Sequence, residues 1–232
     1  SSDLTISSAS LSGNSVLLKT SSLTQGECYT LTVSGVKDRY GNAIPAGTMK
    51  LFRVCVVTYT DIILADAPVA FYRFEETTGQ TTENFGTLGT EAEGLWMSGN
   101  GPDDSFPWDA SSEDGPLPGE GFLGFAEDNR AASFNGDVDL LWVDTQQQLL
   151  NGLGSFSLEY WVKPTNREGQ GWSRIGIVGQ NDAIEYGFIN GTTIQIWTPN
   201  GGALDSTYSY PDNEWHHIAT IATGNDIRNY FD

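Results

Sequence analysis

The sequence predicts an all-β protein folded as an antiparallel sandwich. The 232 residues include 27 glycines and 9 prolines but only 18% charged residues, a composition typical of many strands and turns. Short runs of β-branched and aromatic residues recur between turn residues. Apart from residues 145–151, no segment has the apolar spacing of a helix longer than two turns. The length allows one large β-domain, or a medium domain with a small one.

Residues 1–58 form the first predicted unit, a small β-module. Ser/Thr-rich strands at 4–9 and 15–19 are followed by strands that begin near Cys28 and Met49, with Gly and Asn turns between them. So few strands bury little apolar surface and usually need partner strands for stability. We therefore expect this module to be half of a larger sandwich.

Two cysteines lie in the last two of these strands. If Cys28 pairs opposite Cys55, Leu31 lies opposite Phe52, and apolar residues share one face of the pair while polar residues share the other. This register predicts a cross-strand disulfide; two reduced thiols are the alternative. A disulfide would indicate an oxidising, extracytoplasmic location.

Residues 59–232 form the second predicted unit. Residues 59–68 make the junction, and 69–74 are its first predicted strand. Residues 77–127 are rich in Gly, Pro, Asp and Glu. Because a structureless loop of this length is uncommon in a compact domain, we expect short strands here, or an insertion lying over a sheet.

The strongest strand patterns lie in the second half of the chain. Residues 155–162 alternate apolar and polar side chains, which predicts one face toward a core. Asn190 and Gly191 predict a type I′ hairpin, because both accept positive φ. The predicted strands are 131–134, 140–143, 155–162, 175–178, 185–189, 193–197 and 215–222.

The formal charge of −19 is concentrated in one stretch. Residues 1–60 carry 5 Lys and Arg against 3 Asp and Glu, residues 61–144 carry 2 against 18, and the remainder carries 4 against 9. This charge has the wrong sign for nucleic acid or anionic membranes. No run approaches the roughly 18 apolar residues of a membrane span. We expect neither nucleic-acid binding nor membrane insertion.

Four blocks of sequence follow one another in the second unit: VAFYRFEE at 69–76, AASFNG at 131–136, FSLEYWVKP at 156–164 and WHHIA at 215–219. In this order they resemble bacterial laminin-G-like domains of the concanavalin A-like lectin/glucanase superfamily. The resemblance covers residues 62–232 and implies a jelly roll of two curved antiparallel sheets, often with calcium at the rim and usually with a binding role. In such domains further strands follow the last block, so the resemblance implies a C-terminal truncation near residue 232.

Residues 29–33, followed by 36–42, resemble the C-terminal half of a bacterial immunoglobulin-like (Ig-like) domain. Together the two resemblances imply a fragment of a longer modular protein of the cell surface or extracellular space. Other domains of that parent chain would be among its partners.

Catalytic patterns are weak in this sequence. His216 and His217 are adjacent, so on a strand they face opposite ways, and no Gly-x-Ser-x-Gly elbow is present. Glucanase-type hydrolysis would need carboxylates at alternate positions of a strand, as in Glu-x-Asp-x-Glu. That motif is absent; Asp137 and Asp139 have the alternation in a turn-like segment. We therefore expect no enzyme activity and keep glycoside hydrolysis as an alternative.

Calcium binding is predicted from clustered loop oxygens, because the ion takes six to eight oxygen ligands in flexible geometry. Asn135, Asp137 and Asp139 form the tightest cluster, and Asp182 lies in another loop. The alternative is that they are ordinary solvated turn residues.

Trp172, Trp197, Tyr208 and Tyr210 are the predicted ligand-binding residues, because they lie in or beside Gly/Ser-rich segments where aromatic rings could stack on sugars. Packing is the alternative for each. The sequence thus predicts a non-catalytic extracellular adhesion or binding module for a glycan or a cell-surface protein. A structural role in a surface layer or filament is the alternative.

Overall fold

A computed structural model describes residues 4–13, 15–23, 28–38, 40–53, 58–99, 106–135, 139–143, 149–168 and 174–232. The chain divides into two compact units. Unit 1 comprises residues 1–66 and 123–126, and unit 2 comprises residues 67–122 and 127–232. Antiparallel strands dominate both, which confirms the all-β prediction.

The described residues of unit 1 form two separate two-stranded antiparallel sheets, β1–β2 and β3–β4, and one short helix. Its elements are β1 (Ile6–Ser12), β2 (Ser15–Thr20), β3 (Cys28–Val33), β4 (Thr48–Arg53) and α1 (Tyr59–Ala65).

Helix α1 occupies the segment predicted as a junction. Thr58 caps it, since the Thr58 hydroxyl accepts from the Asp61 N–H at 3.1 Å and the Asp61 carboxylate accepts from the Thr58 N–H at 2.9 Å. The Tyr59 N–H donates to the Gly124 carbonyl at 2.9 Å, and the Tyr59 ring stacks on Phe125. These contacts join residues 123–126 to unit 1, so the units meet in sequence at residues 66 and 67 rather than 58 and 59.

The register of β3 and β4 differs from the predicted one. Cys28 pairs with Arg53, not with Cys55, and Leu31 pairs with Lys50, not with Phe52. The predicted register was wrong by two residues because a two-residue shift leaves every side chain on the same face, and alternation alone cannot detect it. Cys55 lies outside the described residues, so the disulfide remains a prediction that mass spectrometry without reductant would test.

Unit 2 contains the remaining strands and two short 3₁₀ helices, Gly89–Ala92 and Pro118–Glu120. The strands are β5 (Thr81–Thr82), β6 (Gly94–Ser98), β7 (Phe106–Pro107), β8 (Ser112–Asp114), β9 (Arg130–Ala132), β10 (Asp139–Val143), β11 (Ser155–Val162), β12 (Ile175–Gln180), β13 (Ile184–Asn190), β14 (Thr193–Thr198), β15 (Gly202–Thr207), β16 (His216–Thr223) and β17 (Ile227–Phe231). Strands β5 to β8 confirm the short strands expected in residues 77–127.

The strand predicted at 69–74 is absent. A single bridge between Tyr72 and Asn84 stands in its place, and the Phe71 N–H donates to the Asn84 side-chain oxygen at 2.7 Å. Phe74 has a φ of 57°, in the left-handed region, which ends any extended run. The Asn84 side chain and the backbone N–H groups of Phe85, Thr87 and Leu88 therefore supply the hydrogen bonds to residues 68–71.

Two sheets of unit 2 share a hydrophobic core. One has the order β11–β16–β17 and the other β12–β13–β14–β15, all antiparallel. The apolar positions of 155–162 pack into this core, as predicted. Its fully packed members are Ile184, Tyr186, Phe188, Ile194, Ile196, Tyr208 and Ile218.

The hairpin between β13 and β14 forms where predicted but with a different turn. Asn190 pairs with Thr193, so Gly191 and Thr192 are the turn residues, and neither Asn190 nor Gly191 has positive φ. The Asn190 side-chain oxygen instead accepts from the Thr192 N–H at 2.9 Å. This Asx turn provides the reversal that we assigned to a type I′ turn.

None of the helices in the described part of the chain has the length and hydrophobicity needed to cross a membrane.

Candidate functional site

The sheet β12–β15 has one face in the core and one face turned outward. The residues of β13 and β14 that belong to the core are even-numbered: Ile184, Tyr186, Phe188, Ile194 and Ile196. Because successive side chains on a strand point to opposite faces, the odd-numbered residues lie on the other face. We call this the outer face and define it by Arg174, Glu185, Gln195, Trp197, Ala203 and Asp205.

A chain of hydrogen bonds crosses the outer face. The Arg174 guanidinium donates from one nitrogen to a Glu185 carboxylate oxygen at 2.8 Å and from the other to the Gln195 side-chain oxygen. The Gln195 amide nitrogen then donates to Asp205 at 2.7 Å. The second Glu185 oxygen accepts from the Asp182 N–H at 3.2 Å, which ties the β12–β13 turn to the same network. The polar groups of three strands are thus held in fixed orientations.

Trp197 lies beside this network. In the sheet register it is flanked by Glu185 on β13 and Ala203 on β15. Its side chain is partly exposed, and Ala203 is exposed and small. Within the described ranges no aromatic ring stacks on Trp197. The indole therefore has a small, exposed neighbour on β15.

Gly187 forms the floor of the outer face next to Gln195. A Cβ added at Gly187 would lie 2.2 Å from the Ile175 carbonyl oxygen, a backbone atom of the neighbouring strand. Only glycine fits this close approach. The floor consequently has no side chain between Gln195 and β12.

The three predicted ligand-binding aromatics that the structure describes do not share one exposed surface. Tyr208 is fully buried in the core, so its predicted role as an exposed stacking platform was wrong. Tyr210 is partly buried against Tyr208 and the His216 ring, with ring centroids 4.2 Å apart in the latter pair. Trp172 lies outside the described residues. Trp197 is on the outer face, opposite to the core side of its strand.

Only two of the predicted calcium ligands, Asn135 and Asp182, have described side chains. Asn135 and Asp182 are exposed, and Asp182 has a φ of 58° in the β12–β13 turn. Asp139 starts β10 and pairs with Ser98, although its side chain is not described, and Asp137 lies outside the described residues. Among the described residues no group of three or more His, Cys, Asp or Glu could hold a metal ion. Calcium binding stays a prediction.

The two histidines face opposite ways on β16, as predicted. The His216 ring packs toward Tyr210, and its Nδ1 lies 3.2 Å from Asp232. The His217 ring lies 5.3 Å from Trp161, with its Nε2 3.7 Å from Glu159. No single surface therefore receives both imidazoles.

The core and the outer face both lie in a segment of the chain that matches a known family model. Residues 141–232 match the Laminin_G_3 family model of the concanavalin A-like lectin/glucanases superfamily. The Laminin_G_3 match includes every residue of the outer face and both sheets that enclose the core. No curated protein and no solved structure matched the chain. The Ig-like resemblance of the first unit stays a prediction.

Sequence reasoning missed Ala203 and the four polar members of the outer face within the Laminin_G_3 segment, which are Arg174, Glu185, Gln195 and Asp205. A signal was available for β14, where Gln195 and Trp197 alternate with Ile194 and Ile196. That alternation assigns Gln195 and Trp197 to one exposed face. Arg174 and Asp205 had no such signal, because only the fold brings them to Gln195.

Proposed function

We propose that unit 2 is a non-catalytic carbohydrate-binding module that binds sugar on the outer face. The observation that carries this proposal is a partly exposed tryptophan beside a fixed network of polar side chains on a sheet surface. Aromatic faces receive the apolar face of a sugar ring, and oriented polar groups bind its hydroxyls. The superfamily match over residues 141–232 supports a carbohydrate-binding or related role.

The geometry of the carboxylates supports binding rather than hydrolysis. Both oxygens of Glu185 already accept hydrogen bonds, from Arg174 and from the Asp182 N–H. Asp205 lies two strands away on β15 and accepts from Gln195. Glycoside hydrolysis needs one carboxyl group free to protonate the leaving oxygen, with a second at a set distance. Glu185 does not have that freedom here, because both of its oxygens are engaged.

An extracellular or cell-surface location, with a role in adhesion, is part of the proposal. The laminin-G-like character of residues 141–232 supports it, because such domains are typically extracellular. Calcium would then stabilise loops of unit 2 rather than contact the sugar. A glycan or a glycosylated surface protein is the corresponding partner.

A structural role in a surface layer or filament is the second candidate. Hairpin β1–β2 favours it, because Leu11, Val16 and Leu17 are 78%, 57% and 68% exposed. An exposed hairpin with apolar residues can pair with further strands. Concentration-dependent assembly of the chain in the absence of any glycan affinity would favour this candidate over sugar binding.

The decisive experiment compares two tryptophan variants on immobilised polysaccharides and a glycan array. We expect Trp197→Ala to lower the affinity of the full chain at least about tenfold, since an aromatic anchor carries much of the energy in such a site. Trp108→Ala is the matched control, because Trp108 is 52% exposed and lies outside the outer face. Equal affinities of both variants and the unaltered chain would contradict the proposal, as would the absence of any glycan binding.

A further inference from the structure

We propose that the outer face selects uncharged glycans through the Asp205 carboxylate, which Arg174 positions by way of Gln195. This inference rests on the proposed function and deepens it by naming the ligand class and the residue that determines specificity. It requires that the network offer acceptors, not donors, to a ligand.

The chemistry of Arg174 fixes the orientation of the Gln195 amide. A guanidinium has only donors, so the group of Gln195 that faces it must be the amide oxygen. The amide nitrogen therefore points the other way, toward Asp205, and donates to that carboxylate at 2.7 Å. Removing Arg174 would free the amide to rotate and would leave Asp205 without a fixed donor.

The cation of the network is directed into it. The Arg174 side chain is 16% exposed, its two terminal nitrogens donate to Glu185 and Gln195, and its Nε is buried. An anionic ligand would therefore find little of this guanidinium accessible from solvent. Asp205, in contrast, is exposed, and a carboxylate has about four lone-pair sites, of which Gln195 occupies one. The capacity left for a ligand is thus hydrogen-bond acceptance.

The charges on the outer face also favour a ligand that donates hydrogen bonds to the site. Its ionisable side chains are one cation, Arg174, and two anions, Glu185 and Asp205, and the whole chain has a formal charge of −19. A carboxylated or sulfated sugar would bring like charge to Asp205 and would be repelled. A neutral sugar supplies hydroxyl donors for Asp205 and a ring face for Trp197. The site therefore fits uncharged, hydroxyl-rich glycans.

The test uses the full chain and one polysaccharide in two forms. A neutral polysaccharide that binds in the screen is compared with its carboxymethylated derivative by isothermal titration calorimetry or affinity electrophoresis. We expect the carboxymethylated form to bind at least about tenfold more weakly at low salt, and the difference to shrink as salt is added. Equal or tighter binding of the charged form would overturn the inference.

Variants then separate specificity from binding. Asp205→Asn should weaken binding of the neutral polysaccharide about tenfold, because a charge-assisted hydrogen bond becomes a neutral one. It should also reduce the difference in affinity between the neutral and the carboxymethylated polysaccharide. The control is Asp226→Asn, which removes a carboxylate paired with Arg228 on the other sheet. It should change neither the affinity for the neutral polysaccharide nor the difference in affinity between the two forms.

The positioning role of Arg174 is tested by a double-variant cycle. As a single substitution, Arg174→Gln should weaken binding of the neutral polysaccharide. It should have little further effect on that affinity when combined with Asp205→Asn. Full additivity of the two substitutions would overturn the positioning role. Thermal unfolding of each variant shows that it remains folded.

The outcomes distinguish the two levels of the proposal. If Trp197→Ala abolishes binding while Asp205→Asn leaves both affinity and selectivity unchanged, the binding function stands and the selectivity inference fails. If the unaltered chain binds no glycan, both fail. Preferential binding of a cationic polysaccharide over its neutral parent would also overturn the inference.

Discussion

Tyr160 of β11 and Tyr186 of β13 meet edge to face in the core of unit 2, with ring centroids 5.7 Å apart. Each ring belongs to a different sheet, so this pair joins the two layers. Both side chains come from alternating strand patterns, and both hydroxyls are held away from solvent. Edge-to-face aromatic pairs contribute more than their buried area alone.

Truncating one ring of this pair should destabilise unit 2 strongly. We expect Tyr186→Ala to lower the free energy of unfolding by about 3–5 kcal/mol, the cost of removing a large aromatic side chain from a core. Tyr230→Ala is the control, since Tyr230 is 49% exposed, and it should change stability by less than about 0.5 kcal/mol. Urea unfolding measures both. Similar losses for the two variants would show that the tyrosine pair does not anchor the sheets.

The buried tyrosines should make unit 2 sensitive to alkaline pH. Burial raises the pKa of Tyr208 to about 12 and raises the pKa of Tyr160 well above its usual value. In the unfolded chain a tyrosine loses its proton near pH 10. Above that pH the folded state binds more protons than the unfolded state, so stability is complete below about pH 10 and falls as pH rises toward about 12.

Ultraviolet absorbance titration and urea unfolding at several pH values measure this effect. A fraction of the tyrosines should ionise only together with unfolding. Tyr208→Phe should lessen the loss of stability above pH 10. If all tyrosines of the folded protein ionised near pH 10 without unfolding, the buried environment described here would be incorrect.

Gly187 should tolerate no side chain. Gly187→Ala places a Cβ 2.2 Å from a backbone oxygen of β12, so the strands must move apart. We expect a loss of about 2 kcal/mol or more in the free energy of unfolding, with weaker glycan binding on the outer face. Gly119→Ala is the control, because a Cβ there would meet nothing within 4 Å. Calorimetric melting compares the two, and an unchanged melting temperature for Gly187→Ala would contradict the close approach.

The cap of α1 should govern the local stability of this helix. Thr58→Ala removes the oxygen that accepts from the Asp61 N–H and should cost about 1 kcal/mol. Hydrogen exchange of the amides in α1 is the direct measurement, and it should speed up several-fold. Thr60→Ala, inside the same helix, should leave exchange slow. Faster exchange in the control than in Thr58→Ala would show that the cap is not limiting.

The core strands of unit 2 could be predicted from sequence because their local pattern and their environment agree. Residues 155–162 alternate between apolar and polar side chains, and the apolar set packs into the core. Strand β15 was not predicted, because Gly, Asp and Ser have low strand propensity and β15 is stabilised by its pairing with β14. The run at 69–74 has strand-like residues, but the segment 84–88 that hydrogen-bonds to it is not a strand and forms only one bridge with it. In both segments, pairing with a neighbouring strand, and not intrinsic strand propensity, determined whether a strand formed.

The candidate site could be predicted only in part. Trp197 was chosen from its residue type, and its strand phase agrees with an outward position. Tyr208 was chosen on the same grounds, but it follows β15, where no alternation indicates its direction, and it is buried. The polar network depends on register across three strands, and the sequence near each residue contains no information on that register.

The alternation of inward and outward side chains along β14 makes the register of this strand important for both faces of the sheet. Displacing this strand by a single residue against its neighbours would turn the indole of Trp197 inward and push Ile194 and Ile196 into water. A misaligned strand would therefore disrupt the core and the outer face together. The register that buries Ile194 and Ile196 is also the one that places Trp197 on the outer face.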